Sequence, residues 1–360
     1  MIADDENLIL NTTARAIDEH TPKELPRGHL GFSQIGKPDD RALWLQFRWS
    51  LPDDPEPRVR RIFRLGHALE AEIIELLSRI PGVTVHDRDP QTGQQFRFEY
   101  LGGHFSGSMD GCIKGIPEAP NTWHVLEIKT VNAKRFQELT KSGVETWSPE
   151  YFAQMQCYMG ASGMERALFV AYNKDTSEIY TERVKASRME FDGYLAKAER
   201  IISATEPPAS IYSGPDAIEA KKNGATHPVY WGKELPAPNC RNCRHVRIMP
   251  GQWACPPQGL ERLTIEQQRT GCPCHNYLVT LMPESTMVQE YSDCVEYRAG
   301  TSVFWNAAEG AGAFTEPVYS SKELHHMSRS GLAAELADPV ISRIRGEFSA
   351  EIVGSERNGA

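Results

Sequence analysis

The sequence has no uninterrupted apolar run of eighteen residues and no basic-then-apolar amino terminus, so neither membrane insertion nor classical secretion is expected. The expected setting is soluble and cytoplasmic. Positive charge is scarce as well: 39 basic against 48 acidic residues leave a net charge of −9. That balance weighs against indiscriminate binding of polyanions, although local contacts decide affinity and acids gathered around a cation count against the total. Cys112, Cys157 and Cys294 are isolated and read as small core hydrophobes. No base stands poised beside them, which excludes cysteine-protease and acyl-transfer chemistry.

What is present is enough to bury a core. At 360 residues and 40% hydrophobic composition the chain should hold two units with a small third appendage. The most informative feature is Asp110, in Ser108-Met109-Asp110-Gly111, followed by Glu127-Ile128-Lys129 at the end of the apolar stretch Trp123 to Ile128. Alternation in a strand puts Glu127 and Lys129 on one face and Ile128 on the other. A half-exposed edge strand would produce the same spacing. Order argues for more. Phe96 to Tyr100 alternates as a strand, Leu101 to His104 reads as a turn, and Phe105 to Asp110 reads as the returning strand, with Gly111 letting the backbone bend. Two carboxylates sharing a hard divalent cation, with a lysine beside the water they activate, make a phosphodiester hydrolysis site.

Around this centre, Arg58 to Ile80 predicts an amphipathic helix through Ile62, Leu65, Leu69, Ile73, Leu76 and Ile80. His67 and Glu70, three apart, either bond to each other on a solvated face or turn together toward a cation. Arg58, Arg60, Arg61 and Arg64, extended by Arg41 and Arg48, read either as a phosphate-binding patch or as solvated charges paired with Asp53, Asp54 and Glu56. Ser33 is expected to cap a short helix whose apolar side is Leu43, Trp44 and Phe47, with Trp44 and Trp49 as packing residues. The polar segment Asn132 to Ser148 leads to a helix over Pro149 to Met159, on which Gln154 and Tyr158 share a face. Strands are expected over Arg166 to Tyr172 and Ile179 to Val184. A helix over Ser187 to Thr205 ends at Pro207-Pro208.

Taken in order, Gly66-His67-Ala68-Leu69-Glu70, Gly107-Ser108-Met109-Asp110-Gly111, Glu127-Ile128-Lys129 and Tyr151-Phe152-Ala153-Gln154-Met155-Gln156-Cys157-Tyr158-Met159 resemble the PD-(D/E)XK nuclease superfamily, in its phage-type, lambda-exonuclease-like branch. The resemblance spans roughly residues 25 to 205 and implies a restriction-endonuclease-like α/β core, a central mixed sheet flanked by helices. It also implies roles. Asp110, Glu127 and the Ile128 carbonyl would hold magnesium or manganese, and Lys129 would orient or deprotonate water. Glu70 and His67 would complete the metal site, while Gln154 and Tyr158 would support the lysine, the water or the DNA backbone. The iron-sulfur relatives carry a cysteine before the arginine of the opening element. Lys37 to Arg41 has none.

The domain expectation is a nuclease domain over 1–208, a linker over 209–239, a cysteine-rich zinc module over 240–282 and an extension of unknown role over 283–360, which includes His325-His326, a strand or helix near Thr301 to Ala308 and a helix over Gly331 to Glu347. Clustered cysteines in an intracellular chain read as a metal site before disulfides. Cys240-x2-Cys243 and Cys272-x2-His275 are two half-sites, and Cys255 is a fifth candidate. Zinc is the expected occupant and a 4Fe-4S cluster the alternative. The expected function is a magnesium-dependent DNA exonuclease of phage or prophage recombination, acting on DNA alone or beside an annealing protein, as a monomer or homo-oligomer. The alternative is a nucleic-acid-binding or assembly protein on an inactive nuclease scaffold.

Overall fold

The computed structural model describes residues 12–23, 25–52, 54–308, 317–338 and 341. The chain divides into two compact units, Met1–Lys37 with Asp53–Tyr100 and Phe105–Ala198, and Pro38–Pro52 with Leu101–His104 and Glu199–Ala360. The first unit contains helix α1 (12–19), strand β1 (Leu30–Gly31), helix α3 (Pro57–Ser78) and strands β2 (Thr84–His86), β3 (Arg97–Tyr100), β4 (Phe105–Ser108), β5 (Gly111–Lys114) and β6 (His124–Val131). It continues through α4 (Ala133–Trp147), α5 (Pro149–Ser162), β7 (Arg166–Asn173), β8 (Ile179–Lys185) and most of α6 (Arg188–Ser203). Helix α2 (Asp40–Phe47) belongs to the second unit.

Five strands in the order β2-β5-β6-β7-β8 form a mixed sheet, with β6 and β7 parallel and the other neighbours antiparallel. This is the helix-flanked arrangement expected of a restriction-endonuclease-like core. Strand β6 is its centre: its eight positions are mostly buried, it pairs with β7 from Val125 to Val131, and with β5 on the other side at His124 to Leu126. Leu126 and Ile128 pack with Ile113, Ile116, Leu168 and Val170 against Ile73 of α3. Burying each such side chain contributes roughly 1.5–3 kcal/mol.

Helix α3 departs from the expected stripe. Ile62, Leu65, Leu76 and Ile80 are exposed, and Ile73, Ile74 and Leu77 face the sheet. The turn of the helix that buries Ile73 and Ile74 also brings Glu70, one turn earlier, to the sheet side. The segment Asn132 to Ser148 is not a connector but helix α4, capped by the Asn132 side chain on the Arg135 amide and buried through Phe136, Leu139 and Val144. A polar face hid it. The cap before Leu43 is Asp39, which accepts from the Ala42 amide, whereas the Ser33 hydroxyl receives Arg27.

The returning strand is shorter than expected. It ends at Ser108, and β4 belongs to a separate three-stranded sheet, β1-β4-β3. Met109 and Asp110 then carry the chain into β5 of the large sheet. Gly111 is needed for space rather than for a bend: a Cβ there would stand 2.7 Å from the His86 carbonyl oxygen.

In the second unit α2 buries Leu43, Trp44, Leu45 and Phe47. The cysteine-rich segment is not a separate small module but part of this unit. Arg241, beside Cys240, is buried with its guanidinium 3.8 Å from the Trp49 ring and 4.7 Å from the Trp253 ring, and it donates to the Phe47 carbonyl. A polar stretch without a core of its own gains one this way. Residues 209–239 lie in the same unit and hold a short helix α7 (Ile218–Lys222). A β9–β10 hairpin (Arg247–Met249, Gln252–Ala254) and helix α8 (Ile265–Thr270) follow. After them a four-stranded sheet runs β11-β12-β13-β14 (Thr286–Glu290, Cys294–Ala299, Ser302–Ala307, Val318–Tyr319). Helices α9 (Ser321–Ser328), which carries His325 and His326, and α10 (Leu332–Ala337) close the described chain. The rest of the helix expected to Glu347, save 341, lies outside the described residues.

Candidate active site

Strand β5 pairs with β6 only as far as Gly111 opposite Leu126, so the next position, Asp110, leaves the ladder beside Glu127 and Ile128. The Asp110 carboxylate takes over the pairing: its Oδ2 accepts the Ile128 amide at 2.9 Å. Strand alternation turns Glu127 and Lys129 to one face. The Lys129 ammonium forms an ion pair with Glu127, stands 3.9 Å from Asp110 Oδ2 and donates to the Ile128 carbonyl at 3.2 Å. Helix α5 supplies the floor. The Tyr151 ring centre is 5.3 Å from Lys129 Nζ, a cation–π distance, and the Tyr158 hydroxyl donates to the Ser108 carbonyl at 2.5 Å. Gln154 donates to the Tyr158 oxygen at 3.3 Å. Tyr158 thereby fixes the chain two residues before Asp110.

Charge does not balance here. Glu127 is completely buried, and its Oε2 receives no hydrogen bond among the described residues. Burial pushes its carboxyl up to about 8, with Asp110 and Glu70 adding to the rise and Lys129 opposing it. Burial and then Asp110 raise Glu70 to about 7, again against Lys129. Burial disfavours the Lys129 ammonium, yet Glu127 and Asp110 outweigh that and hold its pKa above the ordinary lysine value. Three carboxylates face one ammonium. The missing positive charge is what a hard divalent cation would supply, and the oxygen-only donor set of Glu70, Asp110, Glu127 and the Ile128 carbonyl suits one.

No family profile and no curated protein matches the chain. Among solved structures it is similar to an alkaline exonuclease, LHK-Exo, from Laribacter hongkongensis, at 18% identity and a TM-score of 0.37 over 49% of this chain and 88% of that one. It is similar to SSO0001 at 14% identity and a TM-score of 0.34, over 55% of this chain and 86% of the other. A phage related exonuclease from Haemophilus somnus 129PT is 15% identical with a TM-score of 0.27, over 38% and 67% of the two chains. All three are distant likenesses.

The structure brings together Glu70, Asp110, Glu127, Ile128, Lys129, Gln154 and Tyr158. His67 is left out: it is exposed one turn before Glu70, and no hydrogen bond or ion pair ties it to the cluster among the described residues. Tyr151 is the residue that sequence reasoning left without a role, although its three- and seven-residue spacings to Gln154 and Tyr158 place it on their helix face. Of the arginines, Arg60 pairs with Asp54 at 3.3 Å and Arg61 with Asp18. Arg41 donates to the Tyr230 and Pro208 carbonyls and Arg48 to those of Arg241 and Ala204, so neither is presented as a phosphate contact. No helix among the described residues is long and apolar enough to cross a membrane.

The cysteines gather in the second unit. Cys240, Cys243, Cys255, Cys272 and His275 line one cavity of about 360 Å³, and all eight cysteines of the chain are free thiols. Burial and then the neighbouring thiols Cys243, Cys272 and Cys255 push Cys240 up to about 12. No three His, Cys, Asp or Glu side chains among the described residues stand close enough to grip a single ion as they are placed, here or at Glu127. At Glu127 the Lys129 ammonium occupies the space between the carboxylates.

Proposed function

We propose that the chain is a metal-dependent deoxyribonuclease, working in the cytoplasm as a DNA exonuclease of phage or prophage recombination. The observation that carries the reading is the cluster itself, in which Glu70, Asp110 and Glu127 surround one lysine, with a buried, unpartnered carboxylate oxygen at its centre. A bound magnesium or manganese ion, held by those carboxylates and the Ile128 carbonyl, would supply positive charge to a phosphodiester and lower the pKa of water. The chain's own part is positioning. Tyr158 and Gln154 fix the turn that presents Asp110. Tyr151 and the carboxylates hold the Lys129 ammonium, which serves as a fixed donor to the water and the phosphate. The exonuclease mode is supported by motif order alone, and a zinc ion or 4Fe-4S cluster at the cysteines is proposed as the second, structural cofactor.

The test is cleavage of linear duplex and single-stranded DNA by the full chain under magnesium or manganese, beside Asp110→Ala and Glu127→Ala. The expected result is nucleotide release by the parent and loss of at least about 100-fold in each variant, with DNA retention preserved. DNA retention without cleavage under any divalent ion would favour a binding protein on the same scaffold. Near-normal turnover by both folded variants would overturn the assignment.

A further inference from the structure

We infer that Cys240, Cys243, Cys255 and Cys272 form the complete ligand set of one thiolate-bound metal centre, and that His275 is not a ligand but the residue that positions the Cys240–Cys243 turn. The inference deepens the proposal of a second cofactor and is independent of the nuclease chemistry, whose residues lie in the other unit.

Three separate local structures deliver the thiols to one cavity, from which side-chain rotation would have to draw them onto a single ion. Cys240 opens a 3₁₀ turn, Cys243 closes it, Cys255 follows strand β10, and Cys272 follows helix α8. Their backbones are fixed before any metal arrives. The Asn239 side chain accepts from the Arg241 amide and the Asn242 side chain from the Asn239 amide, while α8 is capped by Thr264 and Gln267. Cys240, Cys243 and Cys255 are buried and Cys272 is half-buried, whereas Cys274 is exposed. The cavity, about 360 Å³ and partly open to solvent, is lined by these four free thiols together with Cys274, a density of thiol sulfur that packing alone does not call for. Four soft donors suit a metal that binds thiolate, which is the chemistry shared by tetrahedral zinc and an iron-sulfur cluster.

His275 is 3% exposed. Its Nε2 lies 3.1 Å from the Asn239 carbonyl oxygen and 2.8 Å from Asn242 Oδ1, the residues immediately before Cys240 and Cys243. A carbonyl only accepts, so Nε2 carries the proton and the imidazole staples both ends of the turn. Its Nδ1 is buried without a hydrogen-bond partner among the described residues, which makes nitrogen ligation the direct rival. With four buried or half-buried thiols already in the cavity lining, the nitrogen is surplus to a four-ligand centre.

The decisive experiment is X-ray absorption on the full-length chain, purified anaerobically without added metal, together with elemental and sulfide analysis. The expected result is sulfur-only ligation at either about one zinc per chain or iron with equimolar sulfide, the edge energy telling the two apart. Three sulfurs and one nitrogen would overturn the ligand assignment, and a metal-free, folded chain would overturn the centre. Cys→Ser at any of the four positions should abolish stoichiometric loading. His275→Ala should keep the all-sulfur signature but lose metal to a chelator about 10-fold faster or more, and His275→Gln, which keeps a donor for the Asn239 carbonyl, should recover part of that. His275→Ala that loses metal as completely as Cys240→Ser would contradict the positioning role. DNA cleavage measured on the same samples separates this outcome from the nuclease reading.

Discussion

Glu127 and Lys129 stand two residues apart on one strand, and both hold protons more tightly than usual, the acid because it is buried and the lysine because of its acids. For Glu127 the sign is clear. A carboxyl whose pKa rises from 4.5 to about 8 on folding keeps its proton longer in the folded state, so the stability it contributes is lost as pH climbs through that interval. Glu70 acts the same way up to about 7. His104, His124, His227, His245, His275 and His325 have lowered pKa values and add stability as pH rises until their unfolded forms are neutral, about one unit above the ordinary 6.5, which leaves the interval from there to about 8 as the clean window. In EDTA, the urea midpoint should fall across that window and fall much less in Glu127→Gln. Magnesium should release protons on binding at pH 7, read by calorimetry in buffers of different ionisation enthalpy. A flat or rising midpoint in the parent would count against the cluster as described. Lys129 is protonated in the metal-free chain, which favours a donor role. Lys129→Arg should then retain measurable, pH-independent cleavage, whereas a base role predicts a loss of about 100-fold or more with an altered pH profile.

At the scale of elements, helix α3 separates what hydrophobic spacing tells from what it does not. The helix was legible from its period, but the stripe of Ile62, Leu65, Leu69, Ile73, Leu76 and Ile80 pointed to a face that the fold leaves largely in solvent. A helix this rich in apolar residues offers more than one face, and only the sheet opposite decides which is buried. Ile73→Ala should cost about 2–5 kcal/mol in chemical unfolding, and Leu76→Ala no more than about 0.5 kcal/mol. A comparable cost at both positions would restore the stripe read from spacing. Strands β6 and β7 were legible as short apolar runs, and β8 as the partner expected beside them. The break at Met109-Asp110 was not, since nothing local in Phe105 to Lys114 says that one extended run serves two sheets. That break is what frees the Asp110 carboxylate from the ladder.

For the molecule as a whole, it was the resemblance in motif order that singled out Glu70, Gln154 and Tyr158 as companions of Asp110, Glu127 and Lys129, since strand and helix periods say only which residues of one element share a face. His67 was misleading, since a one-turn offset along α3 is enough to leave it exposed. The cysteine-rich segment was legible as a cluster but not as part of a larger unit, because the contacts that bury Arg241 come from Phe47 and Trp49, nearly two hundred positions earlier in the sequence. The central claim is that Glu70, Asp110 and Glu127 share a hard divalent cation. An anomalous-scattering crystal structure of the full chain soaked with manganese tests it most directly. The account predicts a manganese peak within coordinating distance of Asp110 and Glu127 and close to Glu70, with the Lys129 ammonium displaced from between the carboxylates. No peak at that cluster at saturating manganese, with Lys129 still paired to Glu127, would contradict it.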